Sequence, residues 1–167
     1  MHWEVKKVNK MRIKLIVNEK EYEIEVEPRK LLADLLRELG YTSVHIGCED
    51  GKCGACTVIL DGYAVKSCQL FAVQANNSKI LTVEGLTKNE ELHPLQKAFN
   101  DNFAIQCGYC TPGMLMTSYD LLSKTDKIDE EVVRKAITGN LCRCTGYVNI
   151  VKAILNAAER KKGGEWW

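Results

Sequence analysis

The sequence predicts an α+β protein in two parts, a sheet-based unit of about 80 residues followed by an all-α four-helix bundle. Three observations predict it. Apart from one helical run at Leu31 to Leu39, apolar residues recur with period two as far as Val83, and with helical period from His93 onward. Tight-turn signals punctuate the first part, whereas capping residues and prolines mark helix starts in the second. The cysteines divide evenly, four in each part.

Residues 1–10 read as an extension, with Met11 an alternative start. Arg12 to Val17 places Ile13, Leu15 and Val17 on one face, and Tyr22, Ile24 and Val26 repeat the pattern after Asn18-Glu19-Lys20. Two period-two runs around a short polar turn make a β-hairpin, which Pro28 ends. Leu31, Leu32, Leu35, Leu36 and Leu39 then follow helical spacing, with Gly40 placed to stop the helix. Thr57 to Leu60 begins a second hairpin. Its Asp61-Gly62 turn sends back a strand that delivers Cys68. Ile80 to Val83 is one more short strand, and a helix across a mixed sheet is the expected packing for residues 11–84.

The texture changes between Glu84 and Glu91, so that residues 91–160 form the helical part and 161–167 a tail. His93-Pro94 opens a helix carrying Leu95, Ala98 and Phe99. Thr111-Pro112 reads as an N-cap followed by proline at the first helical position, with Leu115, Met116, Tyr119 and Leu122 as the stripe behind it. Asp129 caps a third helix, Ile128 and Val133 fit a hydrophobic staple around it, and Gly139-Asn140 stops it. Val148 to Arg160 makes the fourth, with Ile150, Val151, Ile154, Leu155 and Ala158 mostly on one side. Short helices on short loops make a bundle.

Gly47 to Cys56 reads Gly-Cys-Glu-Asp-Gly-Lys-Cys-Gly-Ala-Cys, and with Cys68 it gives Cys48, Cys53, Cys56 and Cys68 the plant-type [2Fe–2S] spacing. A cluster of net negative charge needs a loop that wraps it and turns backbone N–H groups toward the sulfurs. Gly47, Gly51 and Gly54 supply positive φ and close backbone approach. Four thiolates also suit structural zinc, but such sites usually use two C-x-x-C knuckles, and here only Cys53 and Cys56 make one. Cys107-Gly108-Tyr109-Cys110 and Cys142-Arg143-Cys144 each precede a helix, where orphan N–H groups and the dipole favour negative charge. Facing each other, they complete a second four-thiolate site, at which this spacing alone leaves zinc and iron–sulfur both open. Such a site ties the bundle together, so metal loss is expected to melt that half. A Rieske centre needs two histidine ligands, and His2, His45 and His93 do not pair with the cysteines.

Composition narrows the classes. A net charge of +1 with 27% charged residues lacks the basic excess of a nucleic-acid face. No run approaches the roughly 18 apolar residues of a membrane span, and Met1 to Lys10 carries no apolar export core. A cytoplasmic protein is expected. The eight cysteines are even in number, but thiols stay reduced in that compartment, so metal is a better reading than disulfides.

Three stretches resemble the small iron–sulfur subunit of the molybdenum hydroxylases, the xanthine dehydrogenase and aldehyde oxidoreductase family. They are Gly47-Cys48 through Cys53-Gly54-Ala55-Cys56-Thr57-Val58, Gln106 to Met114, and Gly139 to Tyr147. The resemblance runs from about Arg12 to Ala158, and the two ends fall outside it. It implies a plant-ferredoxin-like β-grasp domain followed by the four-helix bundle, each holding one [2Fe–2S] cluster. The ligands would be Cys48, Cys53, Cys56 and Cys68 in the first, and Cys107, Cys110, Cys142 and Cys144 in the second. It further implies a large partner carrying the molybdopterin cofactor and a medium partner carrying FAD, in a heterotrimer or a dimer of heterotrimers. Electrons would pass from molybdenum through the bundle cluster and the plant-type cluster to the flavin. Gln106 and the Cys144 region would approach the pterin. His45-Ile46-Gly47-Cys48 is similar to the carbon monoxide dehydrogenase and microbial aldehyde dehydrogenase branch, which makes an aldehyde such as glyceraldehyde the expected substrate of the assembled enzyme.

No nucleophile–base pair or phosphate-cradling loop supports chemistry of the chain's own. A free-standing two-cluster ferredoxin and a zinc-bound interaction module are the alternatives. Among other residues, His93 reads as a helix-start or surface residue, and His45 as a neighbour of the first loop. Arg143 reads either as an offset to cluster charge or as a solvated side chain. Met114 and Met116 read as core. Trp166 and Trp167, after two glycines, read as docking on a partner rather than on their own domain, or else as a frayed tail.

Overall fold

A computed structural model describes residues 9–166. Most of the 1–10 extension and Trp167 lie outside the described residues. The first alternation folds as expected into β1 (Met11–Val17) and β2 (Lys20–Val26), an antiparallel hairpin. Its turn residues Asn18 and Glu19 both have positive φ, 48° and 69°, matching the strand twist that two-residue hairpin loops require. Further strands are β3 (Thr57–Leu60), β4 (Tyr63–Lys66) and β5 (Ser78–Leu81). The sheet runs β2-β1-β5-β3-β4; β1 and β5 are parallel and every other neighbour is antiparallel. β5 starts and ends two residues before the expected strand, because Val83 already belongs to a 3-10 turn, Val83–Leu86.

Helix α1 (Leu32–Glu38) is too short to hold itself in water. It is held by burying Leu32, Leu35 and Leu36 against Ile13, Leu15, Val17, Val58 and Ile80. Each such leucine contributes about 1.5–3 kcal/mol. A second core gathers Leu95, Phe99, Met114, Leu122, Val133, Ile150 and Ile154 from α2 (Pro94–Asp101), α3 (Thr111–Lys124), α4 (Glu130–Ala136) and α5 (Val148–Lys162). The chain is thus α+β, with a mixed five-stranded sheet and five helices among the described residues. None of those helices is long and apolar enough to cross a membrane.

Asp129 caps α4 as expected, accepting from Val132 N at 2.8 Å. One helix start differs from expectation. Cys110, not Thr111, occupies the N-cap of α3, so a cysteine of the second set sits at the helix mouth itself. His93 does open α2, its Nδ1 accepting from Leu95 N at 3.1 Å while Gln96 Oε1 accepts from His93 N at 2.8 Å. It is not a surface residue, however, being 1% exposed.

The covering group is Trp166. Two glycines turn the chain at the end of α5 and bring that indole edge-on to His93, 4.4 Å between ring centres, and stacked on Tyr119 at 5.8 Å. Trp166 therefore packs on its own helical part, contrary to the expected docking on a partner, because the Gly163-Gly164 turn folds back instead of trailing away. Trp166→Ala should lower stability by about 1–2 kcal/mol, from lost aromatic contact and apolar area. Chemical denaturation checks this, and an unchanged midpoint would contradict the packing.

Candidate metal centres

The first cysteine loop leaves α1, has no regular secondary structure, and ends where β3 begins at Thr57. Its backbone turns back on itself at Gly51 (φ 77°) and Gly54 (φ 70°). Cys53 N donates to Cys48 Sγ at 3.3 Å, the amide-to-sulfur contact expected of a wrapping loop. Gln69 Nε2 donates to Cys68 Sγ at 3.4 Å and to Glu49 O at 2.9 Å, pinning the loop to the 3-10 turn Ser67–Gln69 that carries Cys68. Lys66 Nζ holds Gly51 O from below. Gly47 serves differently from the expectation. It is not among the positive-φ residues, and its use is proximity, since a Cβ there would lie 3.1 Å from Cys53 Sγ.

All eight cysteines are free, and their thiols meet two by two. In the first set Cys48 lies against Cys53 and Cys56 against Cys68. In the second, Cys110 lies against Cys142, and Cys107 against Cys144. In the second set the two pairs also lie within electrostatic reach of each other. Cys56 and Cys68 are buried, whereas Cys107 and Cys144 are exposed, as are Gln106 and Arg143. Thr145 donates to Cys142 Sγ from Oγ1 at 3.1 Å and from N at 3.5 Å.

Electrostatics divides the pairs. Burial pushes the Cys56 thiol up to about 11 and the Cys110 thiol up to about 12, with the neighbouring sulfur adding to each. Burial also raises Cys142, but the Thr145 hydroxyl and amide and the Cys144 amide outweigh it, so this thiol lies below its ordinary value. At Cys48 the Asp50 carboxyl pushes up, and backbone N–H groups of Cys53 and Asp50 pull the thiol down past it. Cys48 and Cys142 thus sit among donors suited to thiolates, while Cys53, Cys56, Cys110 and Cys144 are held above the ordinary thiol value.

A [2Fe–2S] centre presents two irons, each taking two thiolates, and two pairs per site match that demand. The residues present therefore fit the binuclear group. Each iron would take up one pair, and the group would supply one-electron storage there.

Sequence reasoning missed what joins the two sites. Leu141 N donates to Cys53 O at 2.8 Å. Asn140, expected only as a helix stop, is 4% exposed and donates from Nδ2 to Gly54 O at 3.0 Å, while its Oδ1 accepts from Thr117 Oγ1 at 2.9 Å. A Cβ at Gly54 would stand 2.3 Å from Gly139 O, and one at Gly113 would stand 2.1 Å from Gly54 O. On the other side of the junction His45 stacks on Tyr109 (4.7 Å) and donates from Nδ1 to Tyr109 O at 2.8 Å, and Tyr109 Oη donates to Ile46 O at 2.8 Å. One signal was available. Gly113 lies inside a helix, where glycine costs about 1 kcal/mol relative to alanine and so marks a close approach.

Comparison with known proteins agrees with this geometry. A 2Fe-2S iron–sulfur cluster binding domain matches residues 15–81, and a [2Fe-2S] binding domain matches residues 82–155. The 6-hydroxypseudooxynicotine dehydrogenase complex subunit beta of Paenarthrobacter nicotinovorans is 51% identical over 90% of this chain and 95% of its own. The nicotinate dehydrogenase small FeS subunit of Eubacterium barkeri is 47% identical over 92% and 98%. A chain of quinoline 2-oxidoreductase from Pseudomonas putida 86 superposes with a TM-score of 0.88 at 46% identity, covering 93% of this chain and 98% of that one. Fold and thiols together define a [2Fe–2S] iron–sulfur protein of the electron-carrying class. Within that class the chain belongs to the small iron–sulfur subunits of the molybdenum hydroxylase family, non-catalytic members of oxidoreductase complexes.

Proposed function

We propose that this chain carries electrons, one at a time, from a molybdopterin site on a large partner to FAD on a medium partner. One cluster is held by Cys107, Cys110, Cys142 and Cys144 and the other by Cys48, Cys53, Cys56 and Cys68. The observation that carries the reading is the pairing of all eight thiols on two loop systems that touch each other. Within each site the paired sulfurs share an iron.

The architecture is a β-grasp domain over residues 11–84 and a four-helix bundle over residues 91–160, each built on its own apolar core. The helical side faces molybdenum, with Gln106 and Cys144 toward the pterin. Their exposure supports this, as does that of Phe103, Ile105 and Leu141 close by in the chain. The assembly is a heterotrimer or a dimer of heterotrimers in the cytoplasm.

An aldehyde substrate rests on the His45 to Cys48 stretch. A nitrogen heteroaromatic substrate is the second reading, supported by relatives whose names carry nicotinate, hydroxypseudooxynicotine and quinoline. Purification of the native complex tests the proposal. The expected result is co-purification with molybdenum-bearing and flavin-bearing chains, and bleaching of the iron–sulfur absorption on adding the true substrate, aldehyde or heteroaromatic. A chain that purifies alone, loaded and able to serve unrelated acceptors, would favour a free ferredoxin. Two zinc ions in place of iron would favour an interaction module.

A further inference from the structure

We propose that the Thr145 hydroxyl sets the reduction potential of the helical-side centre, raising it through a hydrogen bond to Cys142 Sγ. This rests on the electron-transfer reading above and names a tuning residue for it. A hydrogen bond to a ligating sulfur draws electron density away from the iron–sulfur unit, whose negative charge grows by one on reduction. A donor aimed at that sulfur therefore stabilises the reduced form more than the oxidised one.

Thr145 is so aimed. Its Oγ1 lies 3.1 Å from Cys142 Sγ, and its own N–H donates to the same sulfur at 3.5 Å. A further contact decides where the hydroxyl proton goes. Tyr147 N donates to Thr145 Oγ1 at 3.1 Å, so the oxygen accepts there and leaves its single hydrogen for the sulfur. In the first site amide groups approach sulfur less closely, Cys53 N on Cys48 Sγ at 3.3 Å and Gln69 Nε2 on Cys68 Sγ at 3.4 Å.

The backbone is built to hold this contact. Tyr147, at the N-cap of α5, takes the left-handed conformation at φ 69°, which costs a residue with a Cβ free energy and persists only where its surroundings enforce it. That turn brings its N–H back to Thr145, while its Oη accepts from Cys142 N at 2.9 Å. Three hydrogen bonds thus close a ring through Cys142, Thr145 and Tyr147. On reduction one electron enters the centre and takes it from Fe³⁺/Fe³⁺ to Fe²⁺/Fe³⁺. The proton stays on Thr145 Oγ1, and no covalent bond changes. The tuned centre is the one that stands first in line from molybdenum, so a raised potential favours its uptake of each electron.

The test is a redox titration of Thr145→Val in the native complex, followed by paramagnetic resonance of each reduced cluster. Valine keeps the shape and deletes the donor. At the cluster whose signal Cys110→Ser disturbs, the one-electron equilibrium is expected to shift about tenfold toward the oxidised form, about 59 mV lower, with the other cluster unmoved. Thr145→Ser is expected to keep the parent potential. One exchangeable proton coupled to that signal is expected in the parent and in Thr145→Ser, and to vanish in Thr145→Val. Tyr147→Phe leaves the hydroxyl donor in place and is expected to move the potential less. An unchanged potential in Thr145→Val, an equal drop at both clusters, or an equal drop in Thr145→Ser or Tyr147→Phe would overturn the assignment. Thr145→Ala is the second variant if valine prevents loading, and loss of that cluster in both would also overturn it, by showing that Thr145 serves assembly. Absence of two [2Fe–2S] signals from the unaltered complex would instead refute the underlying electron-transfer reading.

Discussion

Gly113→Ala is expected to destabilise the folded chain by about 3 kcal/mol, at the upper end of ordinary overpacking. The sign is the informative part. Alanine in a helix interior is worth about 1 kcal/mol over glycine, so at an open position the substitution would stabilise. Here the added Cβ would lie 2.1 Å from Gly54 O and 3.0 Å from Ala55 Cα, and both are backbone atoms that cannot swing aside. Relief requires α3 to back away from the first cysteine loop. That motion strains the Asn140 clamp on Gly54 O and the packing of Met116 against Ile59 and Leu86. A lower denaturation midpoint and weaker magnetic coupling between the reduced clusters are the expected readings. A variant as stable as the parent would show that the two loops do not meet as described.

Stripping iron from the protein is expected to open the cysteine loops while leaving both apolar cores in place. Both cores are mostly aliphatic and aromatic side chains, although Cys56 and Cys68 belong to the sheet core and Cys110 and Cys142 pack against the helical one. Melting of the helical half, expected from the sequence, gives way to a more local effect for that reason. The released thiols do not blow the loops apart either. Cys56 and Cys110, pushed up to about 11 and 12 by burial, are protonated and neutral near pH 7. What remains to hold the first loop is a set of hydrogen bonds from Cys53, Lys66, Gln69, Tyr109, Asn140 and Leu141. Lys52 and Arg143 are exposed on the two loops and provide the test. Trypsin should cut there about a hundredfold faster after chelation, the equivalent of about 3 kcal/mol of easier local opening. Equal cleavage rates before and after chelation, or collapse of the far-ultraviolet helical signal, would contradict this.

Much of the fold was legible because short-range rules write it. Alternation in Arg12 to Val26, the Asp61-Gly62 turn, the proline after His93 and the Asp129 cap each act within a few residues. The cysteine motifs were legible as spacings, but of the paired thiols only Cys48 and Cys53 share a loop; Cys56 meets Cys68 across a hairpin, and Cys107 and Cys110 meet Cys144 and Cys142 from a separate loop. The junction was not. Asn140 and Gly54 are 86 positions apart, and no local pattern says that one will donate to the other. Gly54 was read for its φ, correctly at 70°, but its second use is the missing Cβ beside Gly139 O. Trp166 misled for a related reason. Two glycines suggest a loose tail, yet they also permit the reversal that lays the indole on His93 and Tyr119.

The central claim is that the eight thiols hold two separate binuclear iron centres, four sulfurs apiece. Paramagnetic resonance of the dithionite-reduced protein, with about four iron and four sulfide per chain, tests it most directly when Cys53→Ser and Cys110→Ser are set beside the parent. The account predicts two distinct signals in the parent, with Cys53→Ser disturbing one and Cys110→Ser the other. A folded single variant that lost both signals at once, or a native chain holding no iron, would contradict it.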